Sequence, residues 1–140
     1  MPPFRFSIRV YYEDTDAGGV VYYANYLRFM ERARTEWLRS LGFEQDELAR
    51  EAGVLFAVNR AEVDYLKPAR FNDRLLVVSE IAELGKARIG FAQEVRRAAD
   101  DVLLCRGLVR VVCVDVARFR PTAIPQAIRD RLTAEGTTQA

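Results

Sequence analysis

Apolar and polar residues alternate from Arg5 to Glu13, adopt a helical spacing from Ala24 to Leu41, and then alternate again through most of the remaining chain. The first stretch reads as a strand, because alternation puts apolar side chains on one face of an extended chain. In the second, Tyr26, Met30, Ala33, Trp37 and Leu41 trace one helical face while Arg28, Arg32, Thr35 and Arg39 form the opposite stripe. Gly42 is placed to end that helix in a left-handed conformation. Glu44 to Ala52 suggests a short second helix closed by Gly53. Four strands are expected next: Val54 to Leu66, Arg74 to Leu84, Ala87 to Arg97 and Val102 to Val116. The last is almost continuously apolar, which predicts cover on both faces. Gln126 to Leu132 suggests a terminal helix, and 133–140 a flexible polar tail. One apolar helix among five strands predicts an α+β domain spanning 1–140, with an antiparallel sheet wrapped around the helix.

Composition narrows the function. A chain of 140 residues suits one domain, and 21 Lys+Arg against 20 Asp+Glu give a formal charge of +1, which offers nucleic acid no electrostatic attraction. No apolar run reaches the roughly 18 residues of a membrane span. The amino terminus lacks the apolar core of a signal peptide, so a cytoplasmic protein is expected. Cys105 and Cys113 fall on one predicted strand, roughly 26 Å apart at about 3.3 Å per residue, too far to bridge. They are expected to be buried free thiols. There is no histidine, which removes Ser-His-Asp and Cys-His catalysis and His-based zinc sites.

The candidate chemistry lies between the first strand and the long helix, in Tyr12-Glu13-Asp14-Thr15-Asp16-Ala17-Gly18-Gly19-Val20-Val21-Tyr22-Tyr23. Asp16 precedes two glycines, where backbone can approach a ligand without a Cβ in the way. The helix start beyond Tyr22 offers unsatisfied N–H groups and a positive dipole end. A carbonyl placed there would be polarised, and a nearby carboxylate could attack it or activate water. The same residues also make an ordinary surface turn and helix cap, so spacing alone leaves both readings open. Asp14 reads as a loop-shaping acceptor and Glu13 as the strand's end. A divalent metal on these acids lacks a matching ligand set elsewhere. Glu31 would reach along the helix or pair with Arg28 or Arg34, and Trp37 reads as core.

With those residues in place, the chain resembles hotdog-fold acyl-CoA thioesterases of the 4-hydroxybenzoyl-CoA thioesterase superfamily, and most closely the Tol–Pal-associated branch. Asp14 to Tyr22 carries the likeness, supported by Glu31-Arg32-Ala33-Arg34-Thr35-Glu36, Tyr65-Leu66-Lys67-Pro68-Ala69-Arg70, Val112-Cys113-Val114-Asp115 and Arg120-Pro121. The resemblance implies a hotdog fold with Asp16 as catalytic carboxylate and the Tyr23 N–H as carbonyl polariser. It implies an acyl-CoA substrate, no metal or organic cofactor, and homodimers or tetramers with sites at the subunit interface. Gly19, Val20, Tyr22, Leu27 and Glu31 are the expected substrate-binding positions, and Lys67, Arg70, Lys86, Arg88 and Arg118 the cations for phosphates. The Tol–Pal-associated branch often carries histidine where this chain has Tyr23; the hydroxybenzoyl branch carries tyrosine. A non-catalytic acyl-CoA or acyl-carrier-protein binding protein serving the cell-envelope machinery is the alternative. A hotdog dehydratase would need a histidine and is discarded.

Overall fold

Trp37 is the hub from which the architecture follows. Its indole stacks on Phe4 at 5.6 Å and meets the edge of Phe91 at 5.9 Å, so one helix side chain ties an edge strand to the central strand of a sheet. The computed structural model describes residues 3–134. The chain runs through β1 (Phe4–Arg9), a 3-10 turn (Tyr12–Asp14), α1 (Asn25–Ser40), α2 (Gln45–Glu47) with a wide helical turn (Leu48–Ala52), β2 (Val54–Tyr65), β3 (Arg74–Leu84), β4 (Arg88–Arg97), β5 (Leu103–Asp115) and α3 (Gln126–Ala134). The five strands form one antiparallel sheet in the order β1-β3-β4-β5-β2.

The helix sits on the inner face as its periodicity requires: Phe29, Met30, Ala33 and Trp37 are buried against Val77, Phe91, Val95 and Val109. Each large side chain so buried contributes about 1.5–3 kcal/mol. Gly107 of β5 permits the close approach, since a Cβ there would lie 3.0 Å from Met30 Sδ. Irregularities between Val58 and Arg60 and between Ile81 and Glu83 add the local twist that lets a sheet curl around a helix. Gly42 closes α1 at a φ of 97°.

Three expectations are corrected. β1 stops at Arg9 rather than Glu13, because the Asp14 carboxylate accepts from the Tyr11 N–H at 2.8 Å and folds Tyr12–Asp14 into a 3-10 turn. Glu13 therefore belongs to that turn. The outer face of β5 is uncovered at Arg106 and Leu108, because no second layer reaches it within this chain. Thr133 and Ala134 complete α3, and the rest of the proposed tail lies outside the described residues. Among the described residues, no helix is long and apolar enough to cross a membrane.

Cys105 and Cys113 are both buried free thiols. Burial pushes the Cys105 thiol up from its ordinary 9.0 to about 12, with the Asp64 charge adding to it. The folded state thus holds a proton that the unfolded chain releases above pH 9. Stability is expected to be intact below that and to fall by about 1 kcal/mol per pH unit from pH 9 towards 12. Urea denaturation at pH 8 to 11 measures the slope, which Cys105→Ala should flatten.

Candidate active site

The acidic loop is a tight hairpin. An isolated bridge pairs Thr15 with Val21, the Asp16 N–H donates to Val20 O at 2.9 Å, and the Gly19 N–H returns to Asp16 O at 3.0 Å. Gly19 takes a φ of 78°, a conformation costly for any residue with a Cβ. The Asp16 carboxylate is exposed, and its Oδ1 accepts from the Gly18 N–H at 2.9 Å. A Cβ at Gly18 would stand 3.2 Å from that oxygen. Both glycines are therefore needed where they are: one turns the chain and the other leaves room for the carboxylate.

Beyond the hairpin, the Tyr22 N–H donates to Asp14 O at 2.9 Å, and Asn25 Nδ2 donates to the same carbonyl at 2.9 Å. Asp14 thus shapes the loop with both its side chain and its carbonyl. The N–H groups of Asn25, Tyr26 and Leu27 close onto Tyr22, Tyr23 and Ala24 carbonyls. Among the described residues, those of Tyr23 and Ala24 have no acceptor within the chain. Two free donors at the positive end of a 16-residue helix form a site for developing negative charge.

The hairpin is braced from the far side of the chain. Val21 N–H donates to Ala69 O at 2.8 Å and Val20 bridges to Arg70, while the buried Tyr26 hydroxyl accepts from the Ala69 N–H at 3.0 Å. Burial raises the Tyr26 pKa, opposed by that Ala69 hydrogen bond. Sequence reading placed Tyr26 in the core and missed its anchoring hydroxyl. Tyr26→Phe leaves the buried Ala69 N–H unpaired and should cost about 1–3 kcal/mol, read as a lower urea midpoint. Tyr65 was missed as well: its ring meets Tyr23 edge-on at 5.8 Å and Tyr26 at 5.6 Å, with Tyr22 against Tyr23 at 5.0 Å.

The expected substrate-binding residues divide between two places. Gly19, Val20, Tyr22, Lys67 and Arg70 surround the hairpin, with the Lys67 N–H bonded to Leu104 O at 3.0 Å and the Arg70 N–H to Asp73 Oδ2 at 2.9 Å. Leu27 and Glu31 continue along α1 into a cleft of about 300 Å³ facing Val58, Ala61 and Val109. Glu31 pairs with neither arginine; its carboxylate accepts from Thr35 Oγ1 at 3.0 Å. Lys86, Arg88 and Arg118 lie at the other end of the sheet. Arg88 is opposite Val112 and paired with Glu83 at 2.7 Å, and the Arg118 N–H bonds Asp115 Oδ1 at 3.3 Å. That end is one strand length from the hairpin, roughly 30 Å for the ten residues of β4. A further hollow, about 380 Å³, opens on the outer face among Glu62, Asp64, Glu80, Glu94 and Arg106, away from Asp16. Its carboxylates make it a poor receptacle for an apolar chain.

Residues 10–132 match the Thioesterase-like superfamily. An acyl-CoA thioesterase, YbgC, from Haemophilus influenzae is 45% identical over 126 residues, covering 90% of this chain and 91% of its own. A 1,4-dihydroxy-2-naphthoyl-CoA hydrolase from Nostoc punctiforme is 30% identical over 138 residues, covering 95% and 92%. The crystal structure of a 1,4-dihydroxy-2-naphthoyl-CoA thioesterase from Synechocystis superposes with a TM-score of 0.88 at 27% identity, covering 94% of this chain and 96% of that one.

Proposed function

The chain belongs to the Thioesterase-like superfamily, and from that membership we propose that it hydrolyses the thioester of an acyl-CoA to the free acid and coenzyme A. The observation that carries this reading is the exposed Asp16 carboxylate on a hairpin that leads straight into the free Tyr23 and Ala24 N–H groups. In the proposed reaction the thioester oxygen accepts from the Tyr23 N–H, so negative charge develops where a donor already points. Asp16 either attacks the carbonyl carbon, giving a mixed anhydride that water opens, or takes a proton from the attacking water. Both routes break the carbon–sulfur bond, deliver one water to the acyl group and return the thiol. Neither calls for a metal or an organic cofactor, and coenzyme A enters only as part of the substrate.

The distant cations acquire a role if two copies pair. β2 is an edge strand, with Val58, Tyr65 and Leu66 exposed along and beyond it. Two β2 edges joined antiparallel would set one copy's Tyr65 end beside the other's Val54 end. That arrangement would bring Lys86, Arg88 and Arg118 of one copy towards the Asp16 hairpin of the other, where phosphates of coenzyme A would lie. A homodimer, alone or doubled into a tetramer, is thus part of the proposal.

Thiol release from a panel of short, long and aromatic acyl-CoAs tests the activity. Turnover on at least one is expected. Saturable binding with no thiol released from any of them would replace this reading with an acyl-binding protein.

A further inference from the structure

Arg34 is a buried cation without an anion. The residue is only 9% exposed, and among the described residues no carboxylate comes within ion-pair distance of it. Its one polar side-chain contact among the described residues is Nη1 donating to Gln93 Oε1 at 3.0 Å, with the guanidinium 6.0 Å from the Phe91 ring centre. Gln93 is fixed in turn: Nε2 donates to Met30 O at 3.0 Å and to Ser79 Oγ at 2.9 Å, which aims Oε1 at Arg34. Two strands, β3 and β4, and the helix thus converge to hold one guanidinium. Desolvation lowers its pKa, offset by Glu31; an isolated buried charge is costly unless something compensates it.

Its surroundings indicate the compensation. Arg34 lines the cleft of about 300 Å³ whose other walls are the apolar Leu27, Val58, Ala61 and Val109, with Arg28 and Glu31 beside it. Two guanidiniums against one carboxylate leave the cleft positive. The remaining Arg34 N–H groups have no acceptor among the described residues, and a planar guanidinium suits two-pronged bonding to a carboxylate. Eleven positions separate Tyr23 from Arg34 along α1, roughly 16 Å of axis. Helical side chains lean back towards the amino terminus, which shortens the gap.

We propose that Arg34, oriented by Gln93 and Ser79, is a specificity residue that selects acyl groups carrying an anionic oxygen, a carboxylate above all, at the end remote from the thioester. The inference rests on the acyl-CoA reading above and deepens it by naming the substrate class. Apolar walls take the chain and the guanidinium takes its terminus. An unadorned alkyl chain reaching the same depth would leave the cation unmet.

Two hydrolysis-resistant thioethers test it without relying on turnover: S-octyl-coenzyme A and S-(7-carboxyheptyl)-coenzyme A, titrated calorimetrically. The unaltered protein should bind the carboxylated probe roughly ten- to hundredfold more tightly. In Arg34→Met that ratio should fall to one or below, with octyl affinity within about threefold. Arg34→Lys, which keeps the charge and loses the fork, should retain part of the preference. Equal binding of both probes by the unaltered protein overturns the proposal, even if Arg34→Met does not fold. An equal loss for both probes in Arg34→Met also overturns it. So does a weakened oligomer with unchanged ratio, which would assign the guanidinium to a carboxylate of a second copy. Failure to bind either probe removes the acyl-CoA reading with it, whereas binding without thioester hydrolysis sinks only the hydrolase.

Discussion

Asp16→Asn is expected to lower thioester turnover by roughly a hundred- to ten-thousandfold, the range lost when a positioned proton-transfer group is removed. The substitution separates chemistry from structure. Asn keeps an Oδ1 that accepts from the Gly18 N–H, the one bond the Asp16 side chain makes among the described residues. Its amide neither attacks a carbonyl nor takes a proton from water. The thermal midpoint should therefore stay put while kcat collapses and the KM for the preferred acyl-CoA changes little. A variant that retains near-normal thiol release removes Asp16 from the mechanism. In that case the Tyr23 and Ala24 donors would still polarise the carbonyl while another group takes the proton from the attacking water.

The second large effect is on stability. Phe29→Ala should cost about 3–5 kcal/mol, a substantial part of the roughly 5–15 kcal/mol that holds a typical domain together. Phe29 is fully buried and meets Tyr26 edge-on at 6.1 Å. Removing its ring opens a cavity beneath the residue whose hydroxyl holds Ala69. Activity should therefore fall faster than the folded fraction when urea is raised, because the hairpin loosens before the sheet does. Parallel urea curves for ellipticity and thiol release check this, and coincident curves would show that Tyr26 keeps its position without Phe29.

Much of this was legible in the sequence for a physical reason: strands with one buried face carry their own alternation. β3 matched its expected bounds, and β4 and β5 differed by a residue at their ends. The Asp16 loop stood out through its acids and paired glycines, but that pattern equally fits an ordinary turn, and the family resemblance gave Asp16 its expected role. Arg34 was not legible. It entered the reading only as a partner for Glu31, although it lies four positions after Met30 and three before Trp37, inside the apolar stripe. The stripe identified the face but not that a charge could stand on it; that depended on Gln93, 59 positions away. The separation of Lys86, Arg88 and Arg118 from the hairpin was hidden for the same reason, since no local pattern states which strand ends lie together. Glu13 and Tyr12 were misread because alternation continued past a carboxylate-closed turn.

The strand order also governs how the molecule comes apart and together. β3, β4 and β5 form a meander of neighbours in sequence, whereas β2 reaches β5 across the whole of it. Hairpin contacts close early because little chain entropy is lost in making them. The Asp16 loop leans on the late ones, Val21 on Ala69 and Val20 on Arg70. The meander is thus expected to form first and to exchange its amides most slowly. The Asp16 hairpin is expected to lock last and open first, so the region proposed to admit a substrate is also the one whose opening should cost the rest of the fold least.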